Sequence, residues 1–141
     1  MSNVLKLDPQ PTNHCFGCGA ANPVGMKLPF ELDRDTRRTR GRFILGPNYA
    51  GGAGFAHGGI IAVVLDEAMG KLSKLTEERA VTAEMSIEYR KPVPVDQEIL
   101  AEGWQVDASD RNRFRVAEIH DAQGNLLARG KARFVVVRPS M

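Results

Sequence analysis

The chain lacks the features by which several classes of protein are recognised in sequence. Its 19 Lys and Arg nearly balance 17 Asp and Glu, and a net charge of +2 gives no argument for a nucleic-acid partner. Apolar runs such as Ile60–Leu65 and Phe134–Val137 are far shorter than a membrane span. The first 14 residues hold no apolar stretch typical of a signal peptide. We therefore expect a cytoplasmic protein that does not contact membranes.

Cysteine is scarce as well. The two cysteines, Cys15 and Cys18, form a single CxxC beside His14, and in the cytoplasm we expect them to be reduced. A structural zinc site has four ligands, and the sequence offers no second CxxC. A redox CxxC is expected near a βαβ unit, which this sequence does not predict. We therefore favour a structural loop over a metal site, and we expect neither a metal nor a cofactor.

The composition that is present indicates one globular domain. Of the 141 residues, 43% are hydrophobic and 26% are charged, as is usual for a folded domain. No internal repeat or low-complexity tract is visible. Residues 1–13 contain polar and proline breaks and are predicted to be a flexible arm, and residues 14–141 are predicted to form the domain.

Periodicity predicts one helix and several strands. The segment from His57 to about Leu75 is apolar around most of its circumference, as expected of a buried helix. Strands are predicted at 26–32, 39–45, 81–90, 98–106, 113–120 and 126–137. Short turns between strands favour antiparallel pairing, so the predicted fold class is α+β. One helix cannot cover both faces of such a sheet, and we expect a second subunit to complete the burial.

Two features of the helix point to chemistry. Gly58 and Gly59 leave backbone N–H groups bare at the positive end of the helix, where they stabilise a phosphate or an oxyanion. Close packing explains glycines there equally well. Asp66 is a carboxylate in an apolar helix, where burial raises its pKa and suits it to act as a base or nucleophile. The alternatives are that Asp66 faces solvent, or that Glu67 is the important carboxylate.

The helix segment carries a family resemblance. Residues 57–70, HGGIIAVVLDEAMG, resemble the signature helix of the hotdog thioesterases of the phenylacetate-degradation (PaaI-like) type. Residues 80–84 and 89–94 are similar to the strand and exit turn that follow it. Residues 15–19 and 22–26 resemble the opening of one branch, which includes long-chain acyl-CoA thioesterases. Together these segments span most of the chain.

The resemblance implies a curved antiparallel sheet wrapped around the helix, in subunits that form dimers or dimers of dimers. It implies hydrolysis of acyl-CoA thioesters to the free acid and coenzyme A, without a metal. The Gly58 amide would polarise the thioester carbonyl, and Asp66 would activate water or attack the carbonyl itself. The Thr82 hydroxyl would orient the water or the carboxylate, and His57 would have a structural or thioester-orienting role.

Other residues are predicted to bind the substrate. Some relatives place an asparagine six residues before the histidine; here that position is Gly51, and the nearest asparagine is Asn48, so the second oxyanion donor is open. Basic residues at strand ends and turns are candidates for the phosphates of coenzyme A, with a solvated surface charge as the alternative for each. The predicted substrate-binding residues are Gly59, Asn48, Glu67, Arg90, Lys91 and Arg111.

Two other functions compete with this interpretation. Hotdog dehydratases or hydratases pair a histidine with a carboxylate, but Lys71 stands five residues after Asp66, and His57 is followed by glycines. A non-hydrolytic acyl-CoA binding module would not need Asp66 and Thr82 together.

Helix geometry adds one further prediction, because Gly58 and Asp66 are separated by about 12 Å along one helix. Both must lie within about 3 Å of the reacting carbonyl, so the active site is predicted to be shared between two subunits.

Overall fold

The structure, a computed structural model, describes residues 3–137 and has one helix packed against one antiparallel sheet. Within these residues the sheet has seven strands in the order β1-β2-β3-β5-β6-β7-β4. The strands are β1 (Val4–Leu7), β2 (Phe30–Asp33), β3 (Arg38–Ile44), β4 (Ala80–Tyr89), β5 (Glu98–Ser109), β6 (Asn112–Asp121) and β7 (Leu126–Val136). The predicted α+β layout is therefore confirmed.

The helix occupies the predicted segment. Helix α1 spans Gly58–Gly70 and continues as a 3-10 turn over Lys71–Leu75. It packs on β5, β6 and β7, and the sheet approaches it closely at Gly103, where an added Cβ would stand 2.5 Å from the Ala68 carbonyl oxygen. The residues it buries are Ile61, Val64, Leu65, Ala68 and Met69. The other residues of α1 are partly exposed to solvent in a single chain.

A buried arginine supports the end of α1. The Arg115 side chain donates hydrogen bonds to the Met69 carbonyl and to Ser73 Oγ, both at 3.0 Å, and its guanidinium stacks on the Phe134 ring at 4.8 Å. Burial lowers the pKa of Arg115 to about 10. This residue satisfies a carbonyl at the point where α1 becomes a 3-10 turn. The alternation of β6 gave no sign of it, because arginine is rarely buried.

The N-terminal part of the chain departs from the prediction. Residues 1–13 were expected to lack regular structure, but Val4–Leu7 form β1 and pair with β2. The second strand begins at Phe30 rather than at residue 26, because the Met26 and Leu28 N–H groups bond to carbonyls at residues 16 and 17 at 2.7 and 2.9 Å. The boundary between arm and domain at residue 13 stays a prediction.

Strand β4 forms one of the two edges of the sheet, and β1 forms the other. Strand β4 pairs with β7 on one side, and within residues 3–137 no strand pairs with its other side. Val81 and Tyr89 on β4 are 53% and 54% exposed. A ten-residue edge strand with apolar side chains is a ready template for pairing with another chain.

No helix in the described residues is long and apolar enough to cross a membrane.

Candidate active site

Asp66 and Thr82 form the central pair of the site. Asp66 lies in the third turn of α1, and Thr82 lies near the start of β4, next to a register shift in its pairing with β7. The Thr82 hydroxyl donates a hydrogen bond of 2.6 Å to Asp66 Oδ1. A bulge of this kind turns a side chain away from the regular alternation of a strand. The structure thus brings together two residues that the sequence singled out separately.

The surroundings of Asp66 favour a basic carboxylate. Burial raises the pKa of Asp66 above its ordinary value, the hydrogen bond from Thr82 lowers it in part, and the charge of Glu67 raises it again. Among the described residues Asp66 forms no salt bridge. A carboxylate held by a hydroxyl and not neutralised by a cation is suited to take a proton from water or to attack a carbonyl.

The start of α1 presents backbone amides that have no partner within the helix. The His57 side chain caps the helix, because its Nδ1 accepts a hydrogen bond from the Gly59 N–H at 2.9 Å. The Gly59 N–H is therefore already hydrogen-bonded to the capping side chain. The Gly58 and Ile60 amides have no hydrogen-bond acceptor within residues 3–137, and the Gly58 amide, at the first residue of α1, is the predicted donor to a developing oxyanion.

Tyr89 fixes this end of the helix to β4, a contact that sequence reasoning missed. Its hydroxyl donates to the Gly58 carbonyl at 2.9 Å. An added Cβ at Gly58 would lie 3.5 Å from the same hydroxyl. Thr82 and Tyr89, near the two ends of β4, therefore hold two points of one helix. The position of Tyr89 at the end of the alternating segment gave no signal for this contact.

The loop before the helix holds the predicted asparagine on the surface. Asn48 lies exposed on a 3-10 turn, Pro47–Tyr49. The His57 N–H bonds to the Tyr49 carbonyl at 2.8 Å, and the Gly51 N–H bonds to the Phe55 carbonyl at 2.6 Å. These bonds fold the loop against the start of α1. The role of Asn48 as a second oxyanion donor stays a prediction.

The predicted phosphate-binding residues do not meet within one chain. Arg90 and Lys91 follow the end of β4, and Arg90 pairs with Glu88. Arg111 lies in the two-residue turn between β5 and β6, and its carbonyl accepts from the Val136 N–H at 2.8 Å. Because Val136 pairs with Ala80 on its other side, Arg111 lies across β7 from β4, at the end of the sheet where β4 starts. Ten residues of strand, about 30 Å, separate the two groups.

Glu67 faces a different part of the molecule from Asp66. Its Oε1 accepts a hydrogen bond from Cys15 Sγ at 3.3 Å, and its Oε2 lies 3.7 Å from Lys71 Nζ. The structure therefore places Glu67 against the CxxC loop, with a cation beside it. Its predicted role in substrate binding stays a prediction.

The chain belongs to the Thioesterase superfamily, which matches residues 53–128, more than half of its length. The matched residues include the helix start, Asp66 and Thr82. Mouse acyl-coenzyme A thioesterase THEM4 is 33% identical over 72 residues, which cover 51% of this chain and 31% of the relative. The chain thus spans about a third of the length of this curated relative.

Solved structures agree with the fold. A thioesterase superfamily protein superimposes with a TM-score of 0.80 at 25% identity, covering 86% of this chain and 60% of that one. A Bacillus halodurans protein crystallised with CoA superimposes with a TM-score of 0.69 at 28% identity, covering 79% and 74% of the two chains. The predicted hotdog fold is therefore confirmed.

Proposed function

We propose that this protein hydrolyses acyl-CoA thioesters to the free acid and coenzyme A. The observation that carries the proposal is the 2.6 Å hydrogen bond from Thr82 to Asp66, a carboxylate whose pKa is raised by burial. Two relatives support the substrate class. The mouse relative is named an acyl-coenzyme A thioesterase, and the Bacillus halodurans structure contains CoA.

The residues fit a simple acyl-transfer mechanism. The carbonyl oxygen accepts a hydrogen bond from the Gly58 N–H, which stabilises the negative charge that develops on it. Asp66 removes a proton from water as the water oxygen bonds to the carbonyl carbon, and Thr82 holds the carboxylate in position. The C–S bond then breaks, coenzyme A leaves, and the proton passes to its sulfur. Direct attack by Asp66, followed by hydrolysis of the anhydride, uses the same groups.

One chain cannot supply all of these groups to one carbonyl. Gly58 and Asp66 lie on the same uninterrupted helix, eight residues apart, so about 12 Å of helix axis separates them. The amide and the carboxylate must both reach within about 3 Å of the reacting centre. We therefore propose that the site is completed by a second copy of the chain.

The contacts of β4 suggest how the copies pair. Thr82, near the start of β4, holds Asp66, and Tyr89, at its end, holds Gly58. If the free edges of two β4 strands pair antiparallel, the start of each strand lies beside the end of the other. The helix start of one copy then approaches Asp66 of the other, and a two-fold dimer has two equal sites.

The same pairing would gather the basic residues. Arg111 lies across β7 from the start of β4, and Arg90 and Lys91 follow the end of β4. Antiparallel pairing brings Arg111 of one copy to the same end of the paired strands as Arg90 and Lys91 of the other. Three cationic side chains in one region suit the phosphates of coenzyme A. A dimer is the minimum assembly that this proposal needs, and a tetramer formed by two such dimers satisfies it equally.

A panel of acyl-CoA thioesters tests the proposed activity. The purified protein is mixed with short-chain, long-chain and arylacetyl-CoA substrates, and thiol release is followed with a chromogenic reagent. We expect turnover of at least one class. The substrate with the highest kcat/KM identifies the acyl group. Tight binding of acyl-CoA without thiol release would instead identify a binding module.

A further inference from the structure

A second cluster of reactive side chains lies outside the proposed catalytic machinery. The cysteine loop (residues 13–19) covers Glu67, and Cys15 Sγ donates to Glu67 Oε1 at 3.3 Å. The Sγ atoms of Cys15 and Cys18 and a carboxylate oxygen of Glu67 all lie within 4.8 Å of one another. The proposed thioester hydrolysis uses neither cysteine.

The cysteine loop is shaped closely around this cluster. An added Cβ at Gly17 would stand 2.4 Å from Glu67 Oε1, so a larger residue here would require the Glu67 side chain to shift. The Asn13 carboxamide oxygen accepts from the Cys15 N–H at 2.9 Å, and the Gly19 N–H bonds to the Cys15 carbonyl at 2.9 Å. These two hydrogen bonds hold the two thiols on one side of a tight turn, facing α1.

The spacing fits a tetrahedral metal ion. Zn–S bonds of about 2.3 Å and a Zn–O bond of about 2.0 Å give tetrahedral edges of about 3.5 Å between S and O and about 3.8 Å between two sulfurs. The Cys15–Glu67 separation of 3.3 Å is close to the first edge. An ion therefore needs only small side-chain movements to contact all three ligands.

The charges of these side chains and the space beside them also fit a Zn²⁺ ion. Two thiolates and one carboxylate carry three negative charges, and a Zn²⁺ ion leaves one, which Lys71 balances from 3.7 Å beyond Glu67. The Asn13 side-chain amide lies 4.0 Å from Cys18 Sγ, where it can support a bound thiolate. A cavity of about 600 Å³ lined in part by Asn13, Cys15, Cys18, Glu67 and Lys71 leaves room for a water molecule as fourth ligand.

We propose that Cys15, Cys18 and Glu67 bind one Zn²⁺ ion, with the fourth coordination position open to this cavity. The ion ties the N-terminal part of the chain to α1, one residue from Asp66. The mechanism proposed above for thioester hydrolysis assigns no chemical step to these three side chains. A count of ligands within the CxxC alone argued against a metal, because the third ligand comes from a helix 49 residues after Cys18 in sequence.

Cobalt spectroscopy on the full chain tests the ligands. Metal-free protein titrated with Co²⁺ should develop thiolate-to-cobalt charge-transfer bands and strong tetrahedral d–d bands, saturating at one ion per chain and lost when Zn²⁺ is added. Cys15→Ser and Cys18→Ser should each reduce the charge-transfer intensity and weaken Co²⁺ binding at least tenfold, and Glu67→Gln should weaken binding at least tenfold while keeping the thiolate bands. The matched controls, His14→Ala and Glu77→Gln, should bind Co²⁺ as the unaltered chain does.

Thiol protection provides a test that needs no variant. With one equivalent of Zn²⁺, both thiols of the native protein should react at least tenfold more slowly with a chromogenic disulfide reagent, and a chelator should restore the rate. Absence of the cobalt charge-transfer bands, or equal thiol reactivity with and without Zn²⁺, would overturn the proposal. Unchanged Co²⁺ affinity in Glu67→Gln, or loss of binding in His14→Ala, would show that these three residues are not the ligand set.

Discussion

Asp66 and Glu67 are neighbours in sequence but belong to two different regions of the molecule. Successive residues of a helix point about 100° apart, so Asp66 turns toward the edge strand and Glu67 toward the cysteine loop. The partner of Asp66 is a neutral hydroxyl, Thr82. Glu67 lies between a thiol, Cys15, and an ammonium group, Lys71. The comparison separates a carboxylate kept basic by burial from one placed to act as a ligand.

The comparison shows that the partner, more than the residue type, determines what a partly buried carboxylate can do. A nearby cation neutralises a carboxylate and weakens it as a base, whereas a single hydroxyl orients it without neutralising it. Asp66 is therefore the carboxylate suited to proton transfer. Changes that exchange or remove these partners test the distinction between the two regions.

Replacement of Asp66 should have the largest effect. Asp66→Asn keeps the shape and removes the base, so kcat for acyl-CoA hydrolysis should fall by roughly two to four orders of magnitude. Glu67→Gln should lower kcat by less than about tenfold, because the Glu67 carboxylate faces the cysteine loop. Folding of both variants is checked by circular dichroism. If Glu67→Gln is the more damaging change, the assignment of the two carboxylates is reversed.

Removal of the Thr82 hydroxyl should have an intermediate effect. Thr82→Val removes the hydrogen bond at similar volume, and the rate should fall roughly tenfold, the scale of one hydrogen bond to a charged group. That bond lowers the pKa of Asp66, so the acid limb of the pH–rate profile should move to higher pH in Thr82→Val. Thr82→Ser should keep both the rate and the profile nearly unchanged. Equal rates and profiles in the two variants would mean that residue 82 only packs.

A methyl group at Gly17 should disturb the other region. An added Cβ would stand 2.4 Å from Glu67 Oε1, so Gly17→Ala should destabilise the fold by about 1–3 kcal/mol. At this chain length that corresponds to a fall in Tm of roughly 3–10 °C. Gly46→Ala is the matched control, because an added Cβ there meets no atom within 4 Å. Equal Tm values for the two variants would show that Glu67 moves aside freely.

The smallest expected effect is a gain in stability on removing the Asp66 charge. The pKa of Asp66 is raised in the folded chain, so its protonated form favours folding, and this contribution is lost as pH rises through the raised pKa. Asp66→Asn should therefore have a slightly higher Tm than the unaltered chain at neutral pH. The difference should shrink as pH falls through the pKa of Asp66. A Tm difference that stays constant from acidic pH, where carboxyl groups are protonated, up to neutral pH would contradict the proposed desolvation of Asp66.

The sequence predicted the parts of the fold that depend on local periodicity. The apolar segment from residue 57 to 75 gave the helix, and the alternation after residue 80 gave β4. β1 was missed because four residues beside prolines carry too short a pattern. The predicted start of β2 was early because residues 26–28 bond to the cysteine loop, a tertiary contact that periodicity does not report.

Some residues of the candidate site could also be identified from the sequence, and others could not. Residue type and family resemblance singled out Asp66, Thr82 and Gly58, and their contacts show how two of them meet. Tyr89 received no role, because its bond to Gly58 joins residues 31 positions apart. The link between Cys15 and Glu67 spans 52 positions. Pairings at such separations are set by the packing of the sheet on the helix, which a single sequence does not encode in a readable pattern.

Subunit complementation tests most directly the claim that two chains share one active site. An Asp66→Asn chain is mixed with a Gly58→Val chain, whose valine would press on Tyr89 at the helix start. Each variant alone should be nearly inactive. In a mixed dimer one site keeps both an intact helix start and an intact Asp66, so a statistical mixture should recover about a quarter of the unaltered activity. If mass spectrometry shows that subunits exchange and no activity returns, Gly58 and Asp66 serve a site within a single chain and the shared-site account is wrong.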